Sequence, residues 1–307
     1  MEITVQLRKN INWIFAILCL TLAAQLTAGT AAGICGTLWP ELSPYTVHFL
    51  IPQTIYPLLT AGSMLIFLLA ATPASVAFFH KPEPITDLLF YIPTFLGLSL
   101  LASRLSEGII VILEAIGIKI PSMTQYFPSP SSPVEMAGYF LVIAILPSIC
   151  EELLFRAGVA GVLASFNCTA AVFFSALSFS LIHATVQQIP GAFLLGLLLA
   201  DVYLHYKNLA FPVLLHFINN AVSCLLNFLA LSGQETAANG LATAMEVILI
   251  PVGLLTGFVL LRRRKKASRS SADRVTTRQA FYTGLTSVPF LLFSALYLAL
   301  TVLSFSL

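Results

Sequence analysis

The strongest constraint on the fold is a series of apolar runs, each long enough to cross a lipid bilayer. A transmembrane helix needs about 20 mostly apolar residues, and each crossing is helical because lipid gives the backbone no hydrogen-bond partner. The sequence therefore predicts an all-α, polytopic transmembrane bundle of about nine spans. The runs lie at about Ile11–Ile34, Phe49–Phe79, Leu88–Ile118, Met136–Ser165, Thr169–Thr185, Ile189–Tyr206, Leu209–Leu231, Leu241–Leu261 and Phe281–Leu307.

The composition agrees with a location in the membrane. Hydrophobic residues make up 58% of the chain and charged residues 9%, whereas soluble proteins have about 25% charged residues. A soluble fold of this length could not cover its surface with so few charges. The five cysteines form no CxxC pair, so the sequence indicates neither a disulfide framework nor a thiolate zinc site.

The basic residues predict the orientation of the chain. Arg8 and Lys9 precede the first apolar run, and eight Lys or Arg residues fall between Arg262 and Arg278. Nine crossings place both groups on one side of the membrane. Because basic loops are retained in the cytoplasm, the N-terminus is predicted to be cytoplasmic. The basic run is interpreted as a solvated loop, and no nucleic-acid partner is expected.

The chain divides into three regions on this pattern. Residues 1–135 are predicted to form the N-terminal transmembrane spans, and residues 136–232 a central helical core. Residues 233–307 are predicted to form the C-terminal spans, with the basic cytoplasmic loop 262–278 between them.

Three charged residues lie inside the fourth apolar run, where each costs about 2.5–3.5 kcal/mol to insert. Glu152 and Arg156 are four residues apart on one helix face, so an internal ion pair is predicted. Glu151 lies about 100° around the helix from Glu152, and it therefore remains available as a base. The alternative is that all three residues form one structural charge cluster. Four charged residues in other apolar runs are interpreted as structural, namely Arg104, Glu107, Glu114 and Glu246.

Two later runs contain histidine at helical spacing from a possible partner. His183 follows Phe179 by four residues, and His216 precedes Asn220 by four. Taken singly, such residues are typical of contacts between membrane helices. Together with the carboxylates they would supply a hydrolytic site. A carboxylate can take a proton from water, one histidine can hold that water, and a His–Asn pair can stabilise an oxyanion.

The three motifs resemble those of a known family. EELLFR at 151–156 is similar to the EExxxR motif of the CPBP membrane endopeptidases, FSLIH at 179–183 to their FxxxH motif, and HFINN at 216–220 to HxxxN. The family includes the type II CAAX prenyl endopeptidases and bacterial members linked to bacteriocin processing and self-immunity. The resemblance covers about Pro147 to Asn220, and Ala157 stands where the family often has glycine after the arginine.

The resemblance implies hydrolysis of a peptide bond inside the membrane, by water that a glutamate activates. Glu151 would be the general base and His183 would help to activate the water. His216 and Asn220 would stabilise the oxyanion, while Glu152 and Arg156 would organise the site. No cofactor is certain, since the family has also been described as metalloproteases. If zinc is bound, its ligands would be Glu151, His183 and His216.

The expected partners are membrane lipid and a membrane-associated peptide or protein substrate, either prenylated or bearing a leader. The expected location is the plasma membrane of a bacterium. Two other functions fit the same residues. One is a catalytically silent membrane scaffold or immunity protein of the same fold. The other is a proton-coupled carrier that uses Glu151, Arg156 and His183 as a relay.

Overall fold

The computed structural model describes residues 2–71, 76, 78, 85–120, 130, 132–263 and 273–303. Within these ranges the chain is helical apart from short connections, and it contains no strand. The all-α prediction is confirmed. The main helices are α1 (Glu2–Leu38), α2 (Thr46–Ala71), α3 (Leu88–Ala115), α4 (Pro133–Ala164), α5 (Cys168–Leu181), α6 (Ile189–Tyr206), α7 (Ala210–Leu231), α8 (Glu235–Arg263), α9 (Thr277–Leu285) and α10 (Val288–Leu303).

The number of spans is close to the predicted nine. Among the described residues, seven helices are long and apolar enough to cross a membrane, namely α1 to α4 and α6 to α8. The pair α9 and α10, bent by 64°, would make an eighth. The fifth predicted run corresponds to α5, which has 14 residues. It is about 21 Å long at 1.5 Å per residue, shorter than the roughly 30 Å hydrocarbon core. Residues 264–272 of the predicted basic loop lie outside the described ranges.

The apolar core lies around the second half of α4 and around α5. The ring of Phe174 on α5 packs edge-on against Phe290 on α10, and Phe290 packs in the same way against Phe15 on α1. Met64 on α2 and Tyr203 on α6 are buried in the same cluster. Because lipid tails are as apolar as these side chains, close packing rather than exclusion of water holds such helices together. The charged motif on α4 is therefore surrounded by helices on several sides.

Two helices at the periphery, α3 and α8, approach each other through glycine. A Cβ atom on Gly97 would overlap the carbonyl oxygen of Leu249, and a Cβ atom on Gly253 would lie 2.6 Å from the carbonyl oxygen of Pro93. Small residues allow membrane helices to pack backbone against backbone in this way. The pair is antiparallel, because later residues of α3 contact earlier residues of α8.

The same two helices are joined by charge. Arg104 on α3 lies 2.6 Å from Glu246 on α8 and 2.6 Å from Glu107 one turn along its own helix. Both terminal nitrogens and Nε of Arg104 donate hydrogen bonds to these carboxylates. This arrangement agrees with the structural interpretation of the three residues. Glu114 is exposed near the end of α3.

Helix α4 changes its winding where it carries the charged motif. Leu141–Ile145 and Leu153–Gly161 have π-helical geometry, which is often found at functional sites. The first π-helical segment ends just before Pro147, which has no N–H and cannot complete a regular turn. The second begins directly after Glu151 and Glu152. The two glutamates thus occupy a short α-helical stretch between two π-helical segments.

Candidate active site

The two adjacent glutamates have different surroundings. Glu152 is fully buried, and its Oε2 lies 2.9 Å from Nε of Arg156, which is also fully buried. The ion pair predicted from their spacing is present. The guanidinium carbon of Arg156 lies 4.4 Å from the centre of the Phe179 ring, on its face. This contact partly compensates for a buried cation whose terminal nitrogens have no hydrogen-bond acceptor among the described residues.

His216 on α7 lies between the two glutamates. Its Nδ1 is 2.9 Å from Oε1 of Glu152, and its Nε2 is 3.9 Å from Oε2 of Glu151. A carboxylate paired with arginine can only accept a hydrogen bond, so Nδ1 of His216 donates to Glu152. The other ring nitrogen is directed towards Glu151. This arrangement connects Arg156, Glu152, His216 and Glu151 in order.

Glu151 faces a cavity, whereas Glu152 does not. The cavity has a volume of about 520 Å³ and lies between α2, α3, α4, α5, α6 and α7. Four of the six predicted site residues line it, namely Glu151, His183, His216 and Asn220. Glu152 and Arg156 are behind this wall, in contact with the lining residues His216 and Phe179. The structure therefore brings all six residues into one region.

His183 lies just beyond the end of α5. Its Nδ1 is 2.9 Å from the carbonyl oxygen of Phe179. Because a carbonyl oxygen only accepts hydrogen bonds, Nδ1 carries the proton. In the neutral ring, Nε2 is then left as an acceptor. The next residue, Ala184, has a φ of 49°, so the chain turns sharply after the histidine and leaves the helix there.

Asn220 lies one turn after His216 on α7. Its side-chain Nδ2 donates a hydrogen bond of 3.2 Å to the carbonyl oxygen of Ile143, and its Oδ1 accepts one of 3.3 Å from Asn219. Both bonds orient the amide beside the cavity. The second hydrogen on Nδ2 is not needed for the bond to Ile143, since an amide nitrogen has two.

The rest of the cavity wall contains many uncharged polar side chains that the sequence motifs did not identify. They come from α2, α3, α7 and the turn before α6, and those lining the cavity include Gln53, Ser99, Ser103, Ser106, Gln187, Gln188, Asn219, Ser223 and Asn227. No Lys or Arg lines the cavity among the described residues. The three serines of α3 recur at helical spacing, which was a signal in the sequence. Spacing alone does not tell whether such a face meets a cavity, lipid or another helix.

The family resemblance left open whether the protein binds zinc. Among the described residues, no three His, Cys, Asp or Glu side chains lie close enough to share a metal ion. His183 and His216 each use Nδ1 in a hydrogen bond within the protein. Glu151, His183 and His216 as placed do not form a three-ligand set.

The helices and the cavity define an integral membrane protein whose ionisable side chains meet inside the bundle. Residues 133–222 match the family model described as type II CAAX prenyl endopeptidase Rce1-like. The resemblance predicted from the three motifs is confirmed. At the level of the family, the match supports a CAAX-type intramembrane protease. No curated protein and no solved structure matches the chain significantly.

Proposed function

We propose that the protein is an intramembrane endopeptidase in which Glu151 activates a water molecule for attack on a peptide bond. The observation that carries the proposal is that Glu151 lies beside the cavity with two histidines, while its neighbour Glu152 is fully buried and paired with Arg156. A base has to reach water and substrate, and of these two carboxylates only Glu151 lines the cavity.

The water would be held between Glu151 and His183. Nε2 of His183 can accept a hydrogen bond, because the proton of the neutral ring is on Nδ1. Glu151 removes a proton as the water oxygen attacks the carbonyl carbon of the substrate. The same carboxyl group can then return that proton to the departing amine, which completes the hydrolysis.

The negative charge on the carbonyl oxygen would be stabilised by His216 and Asn220. The free hydrogen on Nδ2 of Asn220 can be donated to the oxyanion. Nε2 of His216 can donate only when the ring carries protons on both nitrogens, because Nδ1–H is used by Glu152. Arg156 acts through Glu152, whose charge it balances.

The substrate would be a membrane-associated peptide segment. The amide and hydroxyl groups of the cavity wall can bond both to the N–H and to the C=O groups of an extended backbone. A peptide in this position would replace its bonds to water with bonds to the protein. The match of residues 133–222 to a model of type II CAAX prenyl endopeptidases favours the peptidase over the carrier.

The test is a comparison of peptide termini in membranes of cells that express the wild type, Glu151→Gln or Glu114→Gln. Glu114 is an exposed carboxylate on α3, so its variant is a control for the same chemical change. We expect shortened products with the wild type and with Glu114→Gln. Glu151→Gln at equal protein level should reduce them by about 10²–10⁴-fold, the usual contribution of a general base.

Two outcomes would contradict the proposal. If the three proteins give the same termini, Glu151 is not the base, and a catalytically silent scaffold becomes the better explanation. If purified protein in liposomes instead produces solute flux that follows a pH gradient and requires Glu151, the protein is a carrier.

A further inference from the structure

A second cavity lies beside the first turns of α1 and shares no lining residue with the cavity described above. Its volume is about 470 Å³. Helix α1 supplies most of the wall, and the start of α10 closes it. The lining residues are Val5, Arg8, Lys9, Asn12, Trp13, Ala16 and Pro289. None of them belongs to the three sequence motifs.

Two cations in this cavity have no acidic partner among the residues that the structure describes. Arg8 and Lys9 are exposed, and neither forms an ion pair with a carboxylate among the described residues. Arg8 donates one hydrogen bond of 3.1 Å to Oγ1 of Thr286, in the bend between α9 and α10. Asn12 accepts a hydrogen bond of 2.9 Å from Ser287 in the same bend. The bend thus holds the side chains of Arg8 and Asn12 in place beside the cavity.

The cavity lies at the level of a membrane interface. The first apolar run of α1 begins at Ile11, directly after the two cations. Trp13 and Trp39 are both exposed, at 55% and 49%. Trp39 directly follows the end of α1 and is 26 positions after Trp13, which corresponds to about 39 Å at 1.5 Å per helical residue. That distance approaches the thickness of a bilayer with its headgroups, and tryptophan is enriched at both interfaces. Trp13 and Trp39 therefore mark the two surfaces of the membrane.

We propose that this cavity binds the headgroup of an anionic phospholipid. The lipid phosphate would be bound by the guanidinium of Arg8 and the ammonium of Lys9. An acyl chain would follow the face of α1 formed by Trp13, Ala16 and Leu20, which recur at helical spacing; Leu20 is 54% exposed. Cations next to an apolar face fit a lipid better than a free anion, because a free anion gains nothing from the apolar face.

The two tryptophans of the chain allow a direct test. Trp39→Phe leaves Trp13 as the only indole, and Trp13→Phe leaves Trp39. Each variant is placed in bilayers that contain a fixed fraction of either dibrominated phosphatidylglycerol or dibrominated phosphatidylcholine, and bromine quenching of fluorescence is measured. At Trp13 we expect the anionic lipid to be enriched about fivefold or more over the zwitterionic one, the factor that one surface cation supplies. At Trp39, beside Glu41, we expect no such preference.

Two double variants in the Trp39→Phe background separate the site from general surface charge. Arg8→Gln/Lys9→Gln should abolish the preference at Trp13. Arg262→Gln/Arg278→Gln removes the same number of charges from other exposed positions and should preserve it. All variants are compared as monodisperse protein with unchanged helical circular dichroism.

Three results would overturn the proposal. The first is equal quenching of Trp13 by both lipids in the variant that retains Arg8 and Lys9. The second is an equal loss of preference in both double variants, which would indicate only the surface potential. The third is loss of the preference on addition of inorganic phosphate but not of chloride at the same ionic strength, which would indicate a site for free phosphate.

Discussion

The side-chain amide of Asn220 donates a hydrogen bond of 3.2 Å to the carbonyl oxygen of Ile143. In a regular α-helix this carbonyl would accept the N–H of residue 147, but that residue is Pro147 and has no N–H. The proline in α4 thus leaves available an acceptor that orients an amide on α7. A proline in one helix thus contributes to the position of a proposed oxyanion donor on another helix.

The first prediction concerns this proline. Pro147→Ala restores an N–H that can bond to Ile143, so the bond from Asn220 is weakened and its amide is oriented less strictly. We expect the turnover number to fall by about 10-fold, less than the 10²–10³-fold loss typical when an oxyanion donor is removed entirely, as in Asn220→Ala. The measurement is the initial rate on an identified substrate.

The control for this prediction is Pro251→Ala in the interior of α8, which lies outside the cavity wall. It should leave the rate unchanged. If both proline variants lose activity equally, or if Pro147→Ala is fully active, the bond between Asn220 and Ile143 has no role in catalysis.

The second prediction concerns the buried ion pair. Arg156→Met leaves Glu152 as a buried charge without its partner, which typically costs about 3–5 kcal/mol of folding stability. The double variant Glu152→Gln/Arg156→Met removes both charges and should recover most of that stability. It should not recover cleavage, since a neutral glutamine holds His216 less strongly than a carboxylate does. Thermal unfolding in detergent and the cleavage rate report the two effects separately.

Arg278→Met, at an exposed position on α9, is the matched control and should change stability by no more than about 0.5 kcal/mol. Recovery of cleavage together with stability in the double variant would mean that the pair is only structural.

The third prediction concerns the nitrogen that His183 uses. Its Nδ1 bonds to the carbonyl oxygen of Phe179, so the nitrogen available for water is Nε2. A glutamine amide reaches the position of Nε2, and an asparagine amide reaches that of Nδ1. His183→Gln should therefore retain more activity than His183→Asn, measured as kcat at saturating substrate. The reverse order would show that Nδ1 is the functional atom and that its bond to Phe179 is broken during the reaction.

The fourth prediction concerns the contact between α3 and α8. Gly253→Val places a branched side chain against the carbonyl oxygen of Pro93, and overpacking of this kind costs about 1–3 kcal/mol. We expect a lower unfolding temperature in detergent. Gly240→Val is the matched control on the same helix, because no atom lies within 4 Å of a Cβ at that position. Equal unfolding temperatures for the two variants would show that the close approach of the helices contributes no stability.

The class of the fold followed from the sequence because the length and apolarity of a run are local properties. The same holds for the ion pair between Glu152 and Arg156, since both residues lie on one turn of one helix. The motifs also indicated which helices carry the site. For α5 the apolar run predicted the length of the helix less accurately, because the helix has only 14 residues. Other helices surround α5, so it can be shorter than a helix that faces lipid.

Other features depended on how the helices pack. The bond between His216 and Glu152 joins residues 64 positions apart, and the bond between Asn220 and Ile143 joins residues 77 apart. No helical period relates such positions, because their distance depends on the packing of α7 against α4. The serines of α3 were visible as a repeat, but only the positions of six helices show that they face a cavity. Sequence spacing thus identified the residues on each helix, and helix packing determined which of them meet.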